Sequence, residues 1–338
     1  MSNLTTIISD GWTTSETDID SWEGVGKIFR SLATNIVGLL SIALNTLSLM
    51  VLSKSPACFG ETTKLIITAM SIMDLCTGVQ IILMENISTW TYLPDKWSGY
   101  CKIAYPSMAF IQLGSTMFVV NLSIDRLIMI QRPLRYPMIV TPFRMRIVLL
   151  LSMIPPLIVA YAVRGSYFYT QTRYCRMYLI ASEYPLMLLV TLMFAIAIFV
   201  TTFVNIKLFF IATKMKRKTH PMPEITKDNP ISNISVHFSS VSGHQKAAEI
   251  QMKDQSRDLK ALRTVLIITM ALYIGWFPFF VRVVHNFITL EKSTRMVEFF
   301  GFFAGYNCSW FNPVVYLLLN SSFRKEAIMI IKRRIHYL

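Results

Sequence analysis

Charge is scarce in this sequence. Only 15% of its 338 residues are Asp, Glu, Lys or Arg, against roughly 25% in soluble domains. Glycine and proline are also few, at 13 and 14 residues, which excludes collagen-like and linker-rich chains. No basic leader followed by an apolar stretch opens the chain. Asp10, Glu16, Asp18 and Asp20 stand there instead, so the first apolar segment is expected to direct its own insertion. The five histidines, at 220, 237, 244, 285 and 336, form no cluster with acids of the kind a metal-dependent membrane enzyme needs. No internal repeat is visible, as a transporter built from duplicated halves would show.

What is present is apolar. Hydrophobic residues make up 53% of the chain and the mean hydropathy is +0.47. Seven long runs contain few ionisable groups, at 32–52, 65–83, 103–123, 147–163, 184–206, 265–280 and 297–319. Their lengths suit membrane helices, which need roughly 20 apolar residues. The sixth run is short but follows a charged, helix-favouring stretch at 255–263, so that helix is expected to begin in the cytosol. A soluble helical core holds one or two such runs, not seven. The expectation is an all-α membrane protein.

The net charge of +14 has a location. With the N-terminus outside, the inward segments are 54–64, 126–146, 207–263 and 324–338. They carry 23 Lys and Arg against 8 acids, counting Asp125 at the inner end of span three among them. The outward remainder holds 10 of each. This asymmetry is the positive-inside rule, and it removes nucleic acid as a needed partner. It also argues against chemosensory channels of inverted seven-span topology. Asn3-Leu4-Thr5 then lies outside as an expected glycosylation site, whereas the triplets at Asn121 and Asn307 fall inside spans.

Of five cysteines, Cys58 falls in the first inward loop and Cys76 and Cys308 in spans. Cys101 and Cys175 share the oxidising side, so a Cys101–Cys175 disulfide across the mouth of the bundle is expected; two free thiols are the other reading. The loop at 214–257 is polar, with serines at 232, 235, 239, 240 and 242, and reads as mostly disordered. Those serines are either kinase targets or part of a plain solvated linker. Phe323, Ala327, Ile330 and Ile331 recur at helical spacing with Arg324, Lys325, Lys332 and Arg333 off the stripe. This is the pattern of an amphipathic helix on an anionic inner leaflet. The domain reading is an extracellular tail at 1–30, a bundle at 31–320 and a juxtamembrane helix with its tail at 321–338.

An ionisable residue at membrane depth is costly and marks function by default. Asp74 stands mid-span with no basic neighbour in sequence. It is either protonated or paired with polar groups or a small cation; Asn45, Ser115, Ser309 and Asn312 lie at similar depth. A neutral acid that only holds helices together is the plainer reading. At the inner end of span three stands Asp125-Arg126-Leu127, and near the start of span six stands Asp258. Arg126 is placed either to pair with a carboxylate on another helix or to reach lipid phosphates.

These residues recur in a recognisable order: Asn45, Ile72-Met73-Asp74-Leu75, Ser123-Ile124-Asp125-Arg126-Leu127 followed by Pro133-Leu134-Arg135-Tyr136, Trp276-Phe277-Pro278, and Asn312-Pro313-Val314-Val315-Tyr316. The chain resembles a rhodopsin-like (class A) G-protein-coupled receptor over nearly its whole length, and Cys101 with Cys175 fits that family's disulfide. The resemblance implies a seven-transmembrane helix bundle with a short amphipathic C-terminal helix on the inner leaflet, in the plasma membrane. Its partners would be a heterotrimeric G protein, an extracellular small-molecule or peptide ligand, and lipid. Arg126 would be latched by Asp125 and Asp258 at rest and released to the G protein. Trp276 would floor the pocket, and Pro278 would kink span six so that its inner half swings outward, with Asn312, Pro313 and Tyr316 rearranging alongside. Asp74, Asn45, Ser115, Ser309 and Asn312 resemble a sodium-and-water site, and no other metal or cofactor is implied.

The chain also departs from the family pattern. Leu127 replaces a Tyr, span four lacks its Trp, Leu272 replaces a Phe, and Cys308 replaces an Asn. Alignment from Phe203 puts Ala195 where a Pro is typical and Phe203 itself where a Tyr is typical, removing a hydroxyl that would bridge through water to Tyr316. Amine receptors carry an Asp where Met108 stands, and opsins a Lys where Tyr306 stands, so a retinal Schiff base is excluded. Glu85 near the outer end of span two is another acid able to meet a cation. The expected pocket is Met108, Gln112, Trp276, Phe279, Phe280, Val283 and Tyr306, an apolar and aromatic set suited to a small ligand or peptide side chain. Arg164, Arg173, Arg176 and Arg282 add positive charge near the mouth. The alternative is a seven-span transporter or channel, which would need several intramembrane charges; Asp74 is the only deep one.

Overall fold

The computed structural model describes residues 25–54, 58–90, 98–169, 184–218, 238–289 and 295–336. Its principal helices are α1 (Val25–Lys54), α2 (Glu61–Trp90), α3 (Ser98–Gln131), the single turn α4 (Tyr136–Ile139), α5 (Pro142–Leu151), α6 (Ile154–Tyr169), α7 (Tyr184–Lys218), α8 (Phe238–Thr289), α9 (Arg295–Tyr306), α10 (Cys308–Leu319) and α11 (Ser321–His336). Among the described residues, six helical stretches are long and apolar enough to cross a membrane: α1, α2, α3, α5 with α6, α7 and α8. Helix α7 runs on to Lys218 and α8 begins at Phe238, so helix enters the segment expected to be a disordered loop from both ends.

Prolines set the breaks. Pro155 and Pro156 lack the N–H groups that would bond to Leu151 and Ser152, and the fourth apolar run divides there into α5 and α6. Helix α5 starts on a capped turn, with Thr141 Oγ1 accepting from the Arg144 N–H and Pro142 in the first helical position. The apolar run at 297–319 is likewise two helices of 12 residues meeting at Asn307. There the Asn307 amide donates to the Phe303 carbonyl at 2.7 Å and competes with the backbone. Pro313 in turn frees the Ser309 carbonyl, which accepts from Asn45 Nδ2 of α1 at 2.9 Å.

The bundle is apolar outside and partly polar inside. Along α1, Thr34, Ser41, Asn45 and Ser48 are buried while Leu32, Ile36, Leu39 and Leu40 are exposed. This inversion suits helices whose outer faces meet lipid and whose contacts use small and hydrogen-bonding residues. The most extensive packing joins α1 to α2, where two glycines stand back to back. A Cβ on Gly78 would lie 2.7 Å from the Gly38 carbonyl, and one on Gly38 would lie 2.9 Å from the Gly78 carbonyl. Helix α3 packs against α2, α6, α7 and α8, and α10 closes the ring onto α1 and α8. Helix α11 folds back on α10 and α1, burying Phe323, Ala327 and Ile330 while Ile331 stays 44% exposed. Asn320 caps it, its Oδ1 accepting from the Ser322 and Phe323 N–H groups.

Candidate functional site

Three layers of buried polar and aromatic residues run along the bundle axis. The layer at one end is built on the Asp125 carboxylate, which is 1% exposed. Its Oδ1 accepts from the Tyr136 hydroxyl at 2.6 Å and its Oδ2 from the Thr63 hydroxyl at 3.2 Å. Arg126 Nε lies 3.7 Å from Oδ2, and Arg126 Nη2 donates to the Thr63 oxygen. Thr62 and Tyr136 share a further hydroxyl contact at 2.7 Å; since Tyr136 donates to Asp125, Thr62 is the donor there. Helices α2 and α3 and the turn α4 thus meet on one carboxylate. Burial first, and then the neighbouring carboxylate, push the Tyr136 phenol up to about 12. A raised pKa favours the protonated donor, so this contact is complete below about pH 10 and is lost as pH rises through about 12.

The middle layer holds Asp74, which is 2% exposed. Ser115 Oγ donates to its Oδ1 at 2.6 Å and Asn312 Nδ2 to its Oδ2 at 2.8 Å. Asn45 and Ser309 do not reach the carboxylate. Asn45 binds the Ser41 and Ser309 carbonyls, and Ser309 Oγ donates to the Tyr306 carbonyl. Their tie to Asp74 is through Ser41, whose hydroxyl donates to the Asp74 backbone carbonyl at 2.7 Å. Above the carboxylate is a small cavity of about 20 Å³, lined by Gln112, Trp276, Cys308 and Ser309 among others, and large enough for a single water. Oxygen donors around one carboxylate suit a hard monovalent cation better than a soft metal.

The layer at the other end is aromatic. Phe194 of α7 packs on the Trp276 ring at 4.3 Å, and Trp276 meets Phe279 edge-on at 5.6 Å. The expected pocket residues divide in two. Trp276, Phe279, Phe280 and Val283 join the main core, whereas Met108 and Tyr306 pack with Val37 and Ile81 of α1 and α2. Phe302 touches both groups. Gln112 faces the deeper cavity, its Oε1 accepting from Thr77 at 3.3 Å while its amide nitrogen is buried without a partner.

With this geometry in place, the match to known proteins is specific. The profile of the seven-transmembrane receptors of the rhodopsin family covers residues 44–316. The chain belongs to that family. It is 26% identical to the human probable G-protein coupled receptor 21 over 295 residues, covering 85% of this chain and 78% of that protein. It is also 26% identical to the human histamine H2 receptor over 314 residues, covering 88% and 75% respectively. The octopamine receptor beta-1R of Drosophila melanogaster is 24% identical over 287 residues, covering 77% of this chain and 54% of that protein. The chain is therefore a multi-pass membrane protein and a G-protein-coupled receptor.

Several expected features of the receptor fall outside the described residues: Asn3, Cys175, and the side chains of Glu85, Cys101 and Asp258. Cys58, Cys76 and Cys308 are free thiols. One expectation is corrected. Phe203 is 52% exposed on the outer surface with Lys207 above its ring, and Ala195 is exposed too. Ala197, Val204 and Asn205 are buried instead, so Phe203 does not face the bundle interior. The inner core therefore receives a polar Asn205, not a bare Phe ring. Sequence reading also missed Thr62, Thr63 and Phe194. The threonines sit in the first turn of α2, where no hydrophobic period marks them.

Helices α8 and α10 approach closely at Gly275. A Cβ there would lie 2.3 Å from Cys308 Sγ and 3.0 Å from the Ala304 carbonyl. Overfilling such a contact costs about 1–3 kcal/mol. Gly275→Ala is thus expected to lower the thermal midpoint of the purified receptor, and adding Cys308→Ala to restore part of the loss. Equal midpoints for wild type and Gly275→Ala would show that the contact is loose.

Proposed function

We propose that this receptor sits in the plasma membrane with its N-terminus outside, binds an extracellular small molecule or peptide, and activates a heterotrimeric G protein by an outward swing of the inner half of α8. Helices α9 and α10 form the seventh span and α11 lies on the inner leaflet. The observation that carries this reading is the enclosure of Arg126, 8% exposed among Asp125, Thr63 and Met129. A buried guanidinium with several partners has two alternatives, remaining caged or meeting a G protein. A ligand that binds one of those states better shifts the balance between them. Asp258 on α8 is the second carboxylate of the latch. A Cys101–Cys175 bridge and a glycan at Asn3 complete the outer side, and a sodium ion at Asp74, with Ser115 and Asn312, favours the resting state. The human histamine and fly octopamine receptors bear the names of amines; here the position that would pair with an amine carries Met108. A transporter or channel is less well supported, because the spans offer one deep carboxylate and no path of charges.

The test is G-protein dissociation in living cells across the main Gα families, comparing wild type, Asp258→Ala and Asp258→Ala/Arg126→Ala. Activity that rises in the single variant and vanishes in the double is expected. Silence of all three at normal surface expression would overturn the coupling reading.

A further inference from the structure

We propose that the lipid-facing side of α7 binds a phosphorylated inositol lipid of the inner leaflet, with Lys207 at the centre of the site. The proposal rests on the orientation read above, which puts the Lys218 end of α7 inside. Lys207 is the sole Asp, Glu, Lys or Arg between Leu189 and Ile211, the stretch by which α7 is long and apolar enough to cross a membrane. It is exposed, and so are Phe199, Phe203 and Phe210 around it. A charge within a span almost always faces the bundle interior, where partners satisfy it. Lys207 faces outward. The buried side of α7 is made instead by Thr201, Val204, Asn205 and Leu208, of which Val204 and Leu208 pack with Leu262 of α8. Among the described residues no carboxylate reaches Lys207. Its ammonium nitrogen lies 4.3 Å from the centre of the Phe203 ring.

The depth of this cation is set by helix length. Roughly 20 residues cross the hydrocarbon core, and that length counted from Leu189 ends at Leu208. Lys207 thus stands where acyl chains give way to headgroups. Its side chain turns back onto Phe203, following the lean of helical side chains toward the N-terminus. A lysine stretched out to water would point the other way. The helix continues to Lys218, through Lys214, Lys216 and Arg217. At 100° per residue, positions 214 and 218 return to within about 20° of Lys207, and they rise about 10 Å and 16 Å beyond it. Position 216 falls on the opposite face. One face of α7 is therefore aromatic along the acyl chains and then carries lysine positions at successive heights. Charge complementarity names the occupant. A phosphodiester held at the headgroup boundary meets Lys207 while an acyl chain lies on the exposed rings, and phosphates on an inositol ring extend toward positions 214 and 218. Phosphatidylserine places its charge at one height only. Basic residues clustered beside a span draw anionic inner-leaflet lipids in just this setting.

The experiment uses the full-length receptor in phosphatidylcholine nanodiscs doped with photoactivatable phosphatidylinositol bisphosphate, and maps the crosslinked peptides. Saturable labelling of α7 is expected. Unlabelled bisphosphate lipid should compete for it, whereas phosphatidylserine and soluble inositol trisphosphate should compete much less. Lys207→Gln is expected to raise the lipid fraction for half-maximal labelling roughly fivefold, as loss of one lysine near a membrane surface does. Lys207→Arg should keep the wild-type value. Lys214→Gln should shift it in the same direction as Lys207→Gln, and Lys216→Gln, on the opposite face, should leave it unchanged. Wild-type labelling in Lys207→Gln, or an equal loss in Lys216→Gln, would overturn the proposal, the latter by showing general charge attraction without a site. Equal competition by phosphatidylserine, or by the headgroup alone, would overturn the assignment to a phosphorylated lipid. Both leaflets of a nanodisc carry the probe, so labelling does not depend on orientation. Labelling as expected, together with an epitope in the 214–257 segment exposed at the surface of intact cells, would count against the orientation alone.

Discussion

Replacing Asp125 with Asn is expected to raise ligand-independent G-protein dissociation roughly tenfold or more. The carboxylate takes bonds from Tyr136 and Thr63 and lies beside the Arg126 guanidinium. Hydrogen bonds to a charged group contribute about 1.5–3 kcal/mol each, and about 1.4 kcal/mol is a factor of ten in an equilibrium. An Asn amide keeps one carbonyl acceptor and turns its N–H donors toward groups that are themselves donors. The caged state therefore loses most of its preference over the open one. Tyr136→Phe removes a single bond and leaves Asp125 charged, so a smaller rise in the same direction is expected. Both effects are read as heterotrimer dissociation normalised to surface expression. An unchanged basal level in Asp125→Asn would show that the cage does not restrain the receptor.

The second large effect concerns assembly rather than signalling. Gly78→Leu is expected to abolish surface expression. The group in the way at 2.7 Å is the Gly38 backbone carbonyl, with Ile42 and the Ser41 Cβ at 3.0 Å, so nothing flexible can yield. Gly78→Ala already overfills the contact, at about 1–3 kcal/mol, and should express poorly with a lowered thermal midpoint. Gly60→Ala supplies the control, because no atom lies within 4 Å of its Cβ position. Normal expression of Gly78→Leu would mean that α1 and α2 pack less tightly than described.

How much of this was legible beforehand depends on what kind of signal each residue leaves. Apolar runs announced six of the spans among the described residues, because the bilayer demands length and hydropathy from every crossing. Asp74 was conspicuous for the same reason, and Ser115 and Asn312 do meet its carboxylate. Asn45 and Ser309 were placed at the right depth, yet depth alone does not give direction, and both turn to backbone carbonyls. The break at Asn307 was not foreseen. It arises from an amide competing for the Phe303 carbonyl, which leaves no trace in hydropathy. In span five the inward direction is hard to read because most of its residues are apolar; burial separates Asn205 from Phe203. Thr63 and Tyr136 close the cage around Asp125 across three elements, and such a meeting is set by tertiary packing. Arg282 read as one of several arginines near the mouth, and only its position between the Phe279 and Phe302 rings distinguishes it from the others.

On the proposed reading, Asp258 of α8 closes the cage around Arg126 and so holds the inner half of α8 against the bundle. This claim is tested most directly by the distance between two spin labels, at Gln131 on α3 and Arg263 on α8, both exposed positions. The account predicts a single short-distance population in the unliganded wild-type receptor and a second, longer one in Asp125→Asn. Identical distance distributions in the two proteins, with Asp125→Asn folded and at the cell surface, would contradict it.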